Sequence, residues 1–138
     1  MQNSITIETI VARESEIVWK AWTTPEDICQ WNAASVDWEC PKSTNDLRVG
    51  GEFHAMMSAK DGSASFDFNG IYSEVIEHKK IAYTIEGGRK VVVEFQEVEG
   101  GTRIVETFEM EDINSEELQR AGWQSILDNF KQYVEEKY

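Results

Sequence analysis

The stretch GWQSILDNFKQYV, residues 122–134, places Trp123, Ile126, Leu127, Phe130 and Val134 at three- and four-residue steps. That spacing lays one broad apolar stripe along an α-helix. Read from Ser115 to Lys137, the helix would be roughly 35 Å long at 1.5 Å per residue. Asn114 is the expected N-cap, with Glu117 at the third helical position in a near match to a capping box. Lys131 and Lys137 suit the negative end of the helix dipole. Gly122 costs about 1 kcal/mol against Ala in a helix interior, which points to the close approach of another backbone. A helix with so wide an apolar face is not stable alone in water, so the residues before it must supply a surface.

Alternation supplies that surface. SITIETIVA, from Ser4 to Ala12, keeps Ile5, Ile7, Thr9 and Val11 on one side, as a strand does. SEIVWKAWT then changes period, with Val18, Ala21 and Trp22 three and four apart in a short amphipathic helix. TTPEDICQW opens a second short helix, with Thr24 as N-cap, Pro25 in the first turn and Glu26 and Asp27 at the positive end of the dipole. From Val36 onward the chain reads as strands. VDWEC (Val36 to Cys40), GGEFHAMMSA, SASFDFNGIYSEVI, KIAYTIE, RKVVVEFQEVE and TRIVETFEM follow one another, several of them across Asp61-Gly62, Gly87-Gly88 and Gly100-Gly101. Such short glycine turns join antiparallel neighbours, because a parallel pair needs a long crossover.

The inward sets are Phe53, Ala55 and Met57; Phe66, Phe68, Gly70 and Tyr72; Ile81, Tyr83 and Ile85; Val91, Val93 and Phe95; and Ile104 with Phe108. Glu52, His54, Asp67, Asn69, Glu94 and Gln96 take the opposite face. One face is apolar and the other wet, so the sheet needs one cover, and the last helix is that cover. The expected class is α+β: a curved antiparallel sheet of about six or seven strands wrapped around a long C-terminal helix, in one domain over residues 1–138.

With 26 acidic against 13 basic residues the formal charge is −13. Such a surface repels phosphate backbones and anionic lipid, which argues against nucleic-acid and membrane-surface roles. No apolar run approaches the roughly 20 residues of a membrane span. The opening MQNSITIETIVARESE lacks the layout of a secretory signal, so a cytoplasmic location is expected. The two cysteines, Cys29 and Cys40, are expected as free thiols. Together with His54 and His78 they show no metal-ligand spacing, and no metal or other cofactor is expected.

The order strand, two short helices, antiparallel meander and long C-terminal helix resembles the helix-grip fold of START domains and the birch-pollen allergen family. TTPEDICQW, DLRVGGEF, FNGIYSEVIEHKKIAYT, EGGTRIVETFE and GWQSILDNFKQYVEE are similar, in order and over nearly the whole chain, to proteins related to the activator of the heat-shock protein 90 ATPase. The resemblance implies a cavity between sheet and helix that accepts an apolar or amphipathic small molecule. It also implies a possible chaperone partner, although the co-chaperone's separate N-terminal domain has no counterpart in this sequence. One fold of this kind hosts carriers, receptors and enzymes, so it does not fix an activity.

Catalytic signatures are missing. Gly50-Gly51 reads as a bend at a strand start, since no Lys-Ser/Thr pair follows it. There is no GxSxG elbow, and neither histidine has a nucleophile partner in sequence. Cys29 beside Trp31 reads as a packed thiol or a reactive one. The cavity candidates are Phe53, Met57, Phe66, Phe68, Tyr72, Tyr83, Phe95, Glu106, Trp123, Leu127 and Phe130. The aromatic ones equally suit a filled core, and Tyr72, Tyr83 and Trp123 bring polar atoms that need partners. Glu106 shares alternation with Ile104 and Phe108 and so points inward. Because an unpaired carboxylate there would be costly, a bulge that turns it out and Val105 in, or an Arg or Tyr that pairs with it, is the favoured reading. Three functions follow: a small-molecule binding module, a chaperone accessory, or a cyclase- or hydrolase-type enzyme using Glu106 with a tyrosine.

Overall fold

A computed structural model describes residues 3–138. Met1 and Gln2, the first two letters of the opening run, lie outside the described residues. The elements are β1 (Ser4–Val11), α1 (Ser15–Thr23), α2 (Pro25–Trp31), β2 (Trp38–Asn45), β3 (Glu52–Ala59), β4 (Ser65–Ile76), β5 (Lys80–Ile85), β6 (Arg89–Val98), β7 (Gly101–Glu109) and α3 (Glu116–Lys137). Among the described residues the strands form one seven-stranded antiparallel sheet in the order β1-β7-β6-β5-β4-β3-β2. It is a meander from β2 to β7, completed when β1 pairs with β7 and sets Ile5 opposite Phe108 and Ile7 opposite Glu106.

Bulges and turns give the sheet its curl. The register slips between Glu39 and Lys42 in β2 and between Tyr72 and Glu74 in β4. An extra residue in one strand bends that strand and sharpens its twist, so the sheet rolls into a half-barrel. Gly62, Gly87, Gly88 and Gly100 all take positive φ at the hairpins, as the turn signals require.

The apolar stripe of α3 lies against the concave face. Leu127, Phe130 and Val134 are fully buried, in one core with Ile5, Ile7, Val11, Val18, Ile81, Val93 and Ile104. Phe130 meets Trp22 and Trp31 edge-on at 4.8 and 4.9 Å between ring centroids. Trp31 Nε1 donates to the Ala21 carbonyl at 2.9 Å, so its polar edge is satisfied inside the core.

Several expectations need correction. Ser115, not Asn114, caps α3: its hydroxyl accepts from the Leu118 amide at 3.1 Å, while Asn114 Nδ2 donates to Glu111 at 2.6 Å. The helix starts one residue later than the capping box required, and that box does not form. Nothing lies within 4 Å of a Cβ added at Gly122, so no backbone approaches there. Thr24 sits at the N-cap of α2 without a side-chain cap bond. The first strand of the meander is not Val36 to Cys40; Val36 is exposed, and β2 runs on through Pro41 to Asn45. Proline lacks a ladder donor, and an edge strand is where a sheet tolerates it.

The end of α3 is latched onto α2 through Asp27. Its carboxylate accepts from Tyr133 Oη, from Lys137 Nζ at 3.0 Å and from Tyr138 Oη at 2.9 Å. Burial works to raise its pKa, but the bonds from Tyr133, Lys137 and Tyr138 outweigh that and hold it below the usual carboxylate range. A group with a depressed folded pKa stabilises fully above its unfolded value and loses that stabilisation as pH falls through the folded one. Asp27→Asn should therefore cost roughly 1–3 kcal/mol at pH 7. In chemical denaturation the gap to wild type should close as the pH is lowered below about 4. Phe130→Ala should cost about 3–5 kcal/mol at any pH, because it leaves a void between Trp22 and Trp31.

Candidate functional site

The concave face is filled at one end and hollow at the other. Trp123, one turn before Leu127, lies flat on Phe108 with ring centroids 4.0 Å apart and planes within 9°. That stack closes the space above β7. Over β3, β4 and β5 a straight helix no longer reaches the curled sheet, and a cavity of about 290 Å³ remains. Its walls include Phe53, Ala55 and Met57 of β3, Phe66, Phe68 and Tyr72 of β4, Ile81 and Tyr83 of β5, Arg89 of β6 and Glu106 of β7. Trp123 and Ile126 of α3 roof it, and Trp22, Ile28, Trp31 and Asn32 of the two short helices complete the wall.

Gly70 shapes one wall. A Cβ there would lie 2.6 Å from Phe53 Cε2, so the missing side chain lets the ring lie across the neighbouring strand. Phe53 then packs edge-on to Tyr83 at 4.8 Å and tilted to Tyr72 at 5.4 Å. Tyr72 Oη donates to Asn45 Oδ1 at 2.6 Å, and Asn45 Nδ2 donates to the Thr23 carbonyl at 2.7 Å. This relay ties β4, the edge strand β2 and α1 together at the cavity, and burial pushes the Tyr72 phenol well above its ordinary pKa.

Glu106 faces inward and is 5% exposed. The register of β7 with β1 and with β6 runs without a shift through it, so no bulge turns it out. Among the described residues nothing hydrogen-bonds to its carboxyl, although every fully enclosed side-chain polar atom has a partner. Its oxygens therefore open onto the cavity. Burial alone pushes its pKa up to about 8. Tyr83, 7% exposed, is raised well above its usual value, first by burial and then by the Glu106 charge.

The structure thus brings together Phe53, Met57, Phe66, Phe68, Tyr72, Tyr83, Glu106 and Trp123 around one space. Phe95, Leu127 and Phe130 do not line it; they lie in the solid part of the core. Phe95 is taken up by Trp19 and Trp22, at 5.4 and 5.8 Å. Phe66 is at the wall yet 53% exposed, because it stands near the tip of the β3–β4 hairpin. Sequence reasoning missed Trp22, Ile28, Trp31 and Arg89. The aromatic, amphipathic pattern of α1 and α2 was the available signal, but nothing in it says which end of the sheet they cover.

The remaining candidates for chemistry are accounted for elsewhere. Cys29 and Cys40 are both free. Burial first, and Cys29 beside it second, push the Cys40 thiol up to about 12, which makes it a poor nucleophile. The His54 ring sits on the outer face, with Nδ1 2.8 Å from Asp67 Oδ2.

Residues 12–135 match the family described as "Activator of Hsp90 ATPase homolog 1-like protein". The chain belongs to this family. An AHSA1-like protein from Aeromonas hydrophila, solved in solution, is 47% identical, covers 96% of this chain and 92% of its own, and superposes with a TM-score of 0.91. A Cytophaga hutchinsonii protein is 48% identical over 97% of this chain and 93% of its own, with a TM-score of 0.84. A Nitrosomonas europaea protein shares the fold at 21% identity and a TM-score of 0.83, covering 97% of this chain and 95% of its own. No curated protein matches the chain. Its likeness to solved family members thus spans the cavity as well as the core.

The titration of Glu106 gives this site a measurable signature. A carboxyl whose folded pKa is raised stabilises fully below its unfolded value, near 4.5, and that contribution is lost as pH rises through the folded value of about 8. Wild-type stability should fall across this window by up to about 5 kcal/mol, counting about 1.4 kcal/mol for each pH unit. Glu106→Gln should lose this slope, so thermal melts at pH 5 and pH 9 should diverge from wild type only at the alkaline end.

Proposed function

We propose that this chain is a small cytoplasmic binding module that holds a compact apolar or amphipathic molecule between its sheet and α3. The observation that carries the reading is the cavity of about 290 Å³, walled by aromatic rings with one buried, unpartnered carboxyl. Ligand sites are concave, mostly apolar and furnished with a few convergent polar groups, and their volumes start near 300 Å³. Phe53, Met57, Phe66, Phe68, Tyr72, Tyr83, Glu106 and Trp123 are the proposed contact residues. Leu127 and Phe130 serve by holding α3 in place, and Phe95 packs against Trp19 and Trp22 of α1. Among the described residues no helix is long and apolar enough to cross a membrane.

Ala55 tests this directly, because it is 2% exposed and lines the cavity. Native mass spectrometry of gently purified protein, with a thermal-shift screen of lipids and aromatic compounds, should find a bound small molecule. Ala55→Phe should fill the space, leave the melting temperature within a few degrees of wild type and abolish that binding. Undiminished binding by a folded Ala55→Phe protein would place the ligand elsewhere and end the proposal.

Family membership supports a second reading, a chaperone accessory acting on a heat-shock protein 90 homologue. The exposed Ile71 and Ile76 on the outer face of β4 offer apolar area for such contact. A pull-down with the host homologue and an ATPase assay decide it. Binding with a changed turnover supports the reading, and no binding with no rate change removes it.

A further inference from the structure

We propose that Glu106 makes the cavity selective for protonated amines: a compact aromatic or alicyclic body among the rings, with its basic nitrogen on the carboxylate. This rests on the binding-module reading above and names the ligand class for the same site. Three features point to a cation. The carboxyl is fixed on a strand interior, open to the cavity and free of any bond among the described residues. The same cavity is lined by the rings of Tyr83, Phe68 and Trp123, and aromatic rings attract positive charge. The chain as a whole carries a formal charge of −13, which adds a favourable field for a cation.

The charged and titratable groups around Glu106 do not compete for it. On the same wall Arg89 pairs across from Ile85, whereas Glu106 pairs with Val93, four residues further along β6. The Arg89 guanidinium donates to the Glu109 carbonyl at 3.3 Å. From β5 and β4 come Tyr83 and Tyr72, both held neutral by burial. On β3, His54 also borders the cavity, and its ring is held by Asp67 at 2.8 Å. The cavity residues of α1, α2 and α3 and the Ile7 opposite on β1 carry no charge. A carbonyl-bearing ligand would be served as well by Gln, which donates a hydrogen bond without titrating. A carboxyl adds the capacity to become charged.

The proton balance follows. With its pKa raised to about 8, the empty site is mostly protonated at pH 7. When an alkylammonium binds, the carboxyl proton leaves to solvent and an ion pair forms, so the net charge inside the cavity stays zero. Affinity for the amine should therefore rise with pH from 6 to about 8.5 while the amine itself remains protonated.

A matched pair, naphthylethylamine and naphthylethanol, tests this by titration calorimetry on the intact protein. At pH 8.5 the amine should bind at least about tenfold more tightly than the alcohol, as a charge-assisted bond gives. The preference should shrink toward pH 6, and the measured heat should vary with the buffer's ionisation enthalpy, reporting the released proton. Glu106→Gln should erase the preference for the amine over the alcohol. Equal affinity of the two probes in wild type, or a preference that survives Glu106→Gln, overturns the amine assignment and leaves the cavity reading standing. If neither probe binds at millimolar concentration, the cavity reading fails and the assignment falls with it.

Discussion

A straight helix can follow a curled sheet along only part of its length, and the cavity of this protein descends from that mismatch. From Leu127 to Val134 the helix and sheet meet, and the contact is filled by Phe130 wedged between two tryptophans. Toward Trp123 they part. There the helix stays attached through the Trp123–Phe108 stack and through Arg120, which donates to the Thr6 carbonyl of β1, and it roofs a hollow over β3–β5. Burying a large apolar side chain stabilises by about 1.5–3 kcal/mol, so the filled half suffices to hold the helix without help from the hollow half.

The polar groups obey the same division. Asp27, 2% exposed against 5% for Glu106, receives three donors and works as a structural latch. Glu106 receives none among the described residues and retains a raised pKa. Two carboxyls of similar burial thus have opposite electrostatic character, decided by whether the surrounding elements supply donors. An unpaired buried carboxyl weakens a fold, and such features concentrate where binding or chemistry occurs.

Much of this was legible in the chain itself. Strict alternation in β1, β5, β6 and β7 fixed which side chains face inward, and period 3.6 in the last segment identified the cover. Counting residues in β7 pointed Glu106 inward, but the cost of an unpaired carboxylate favoured a bulge or a partner, and the unshifted register of β7 corrects that reading. What alternation does not encode is distance across the layers. Phe66, Phe68, Phe95 and Phe130 look equivalent as inward aromatics, yet Phe95 and Phe130 are core while Phe66 stands half in solvent. Their separation depends on the bulges in β2 and β4 and on where the short helices land. Ser115 and Asn114 likewise compete as caps with equal chemistry, and the choice falls to Glu111, which claims Asn114.

The pairing of the first strand with the last strand sets a condition on biosynthesis. Thr6 and Thr107, which meet across that seam, are 101 positions apart in the chain. During translation at 5–20 residues per second, Ile5, Ile7 and Val11 must therefore wait on the order of ten seconds before their partners exist. Through that interval the nascent chain presents three aliphatic side chains on an unpaired edge, the kind of surface that recruits ribosome-associated holdases or promotes aggregation. Closure of the seam between β1 and β7 is the event that ends this exposure.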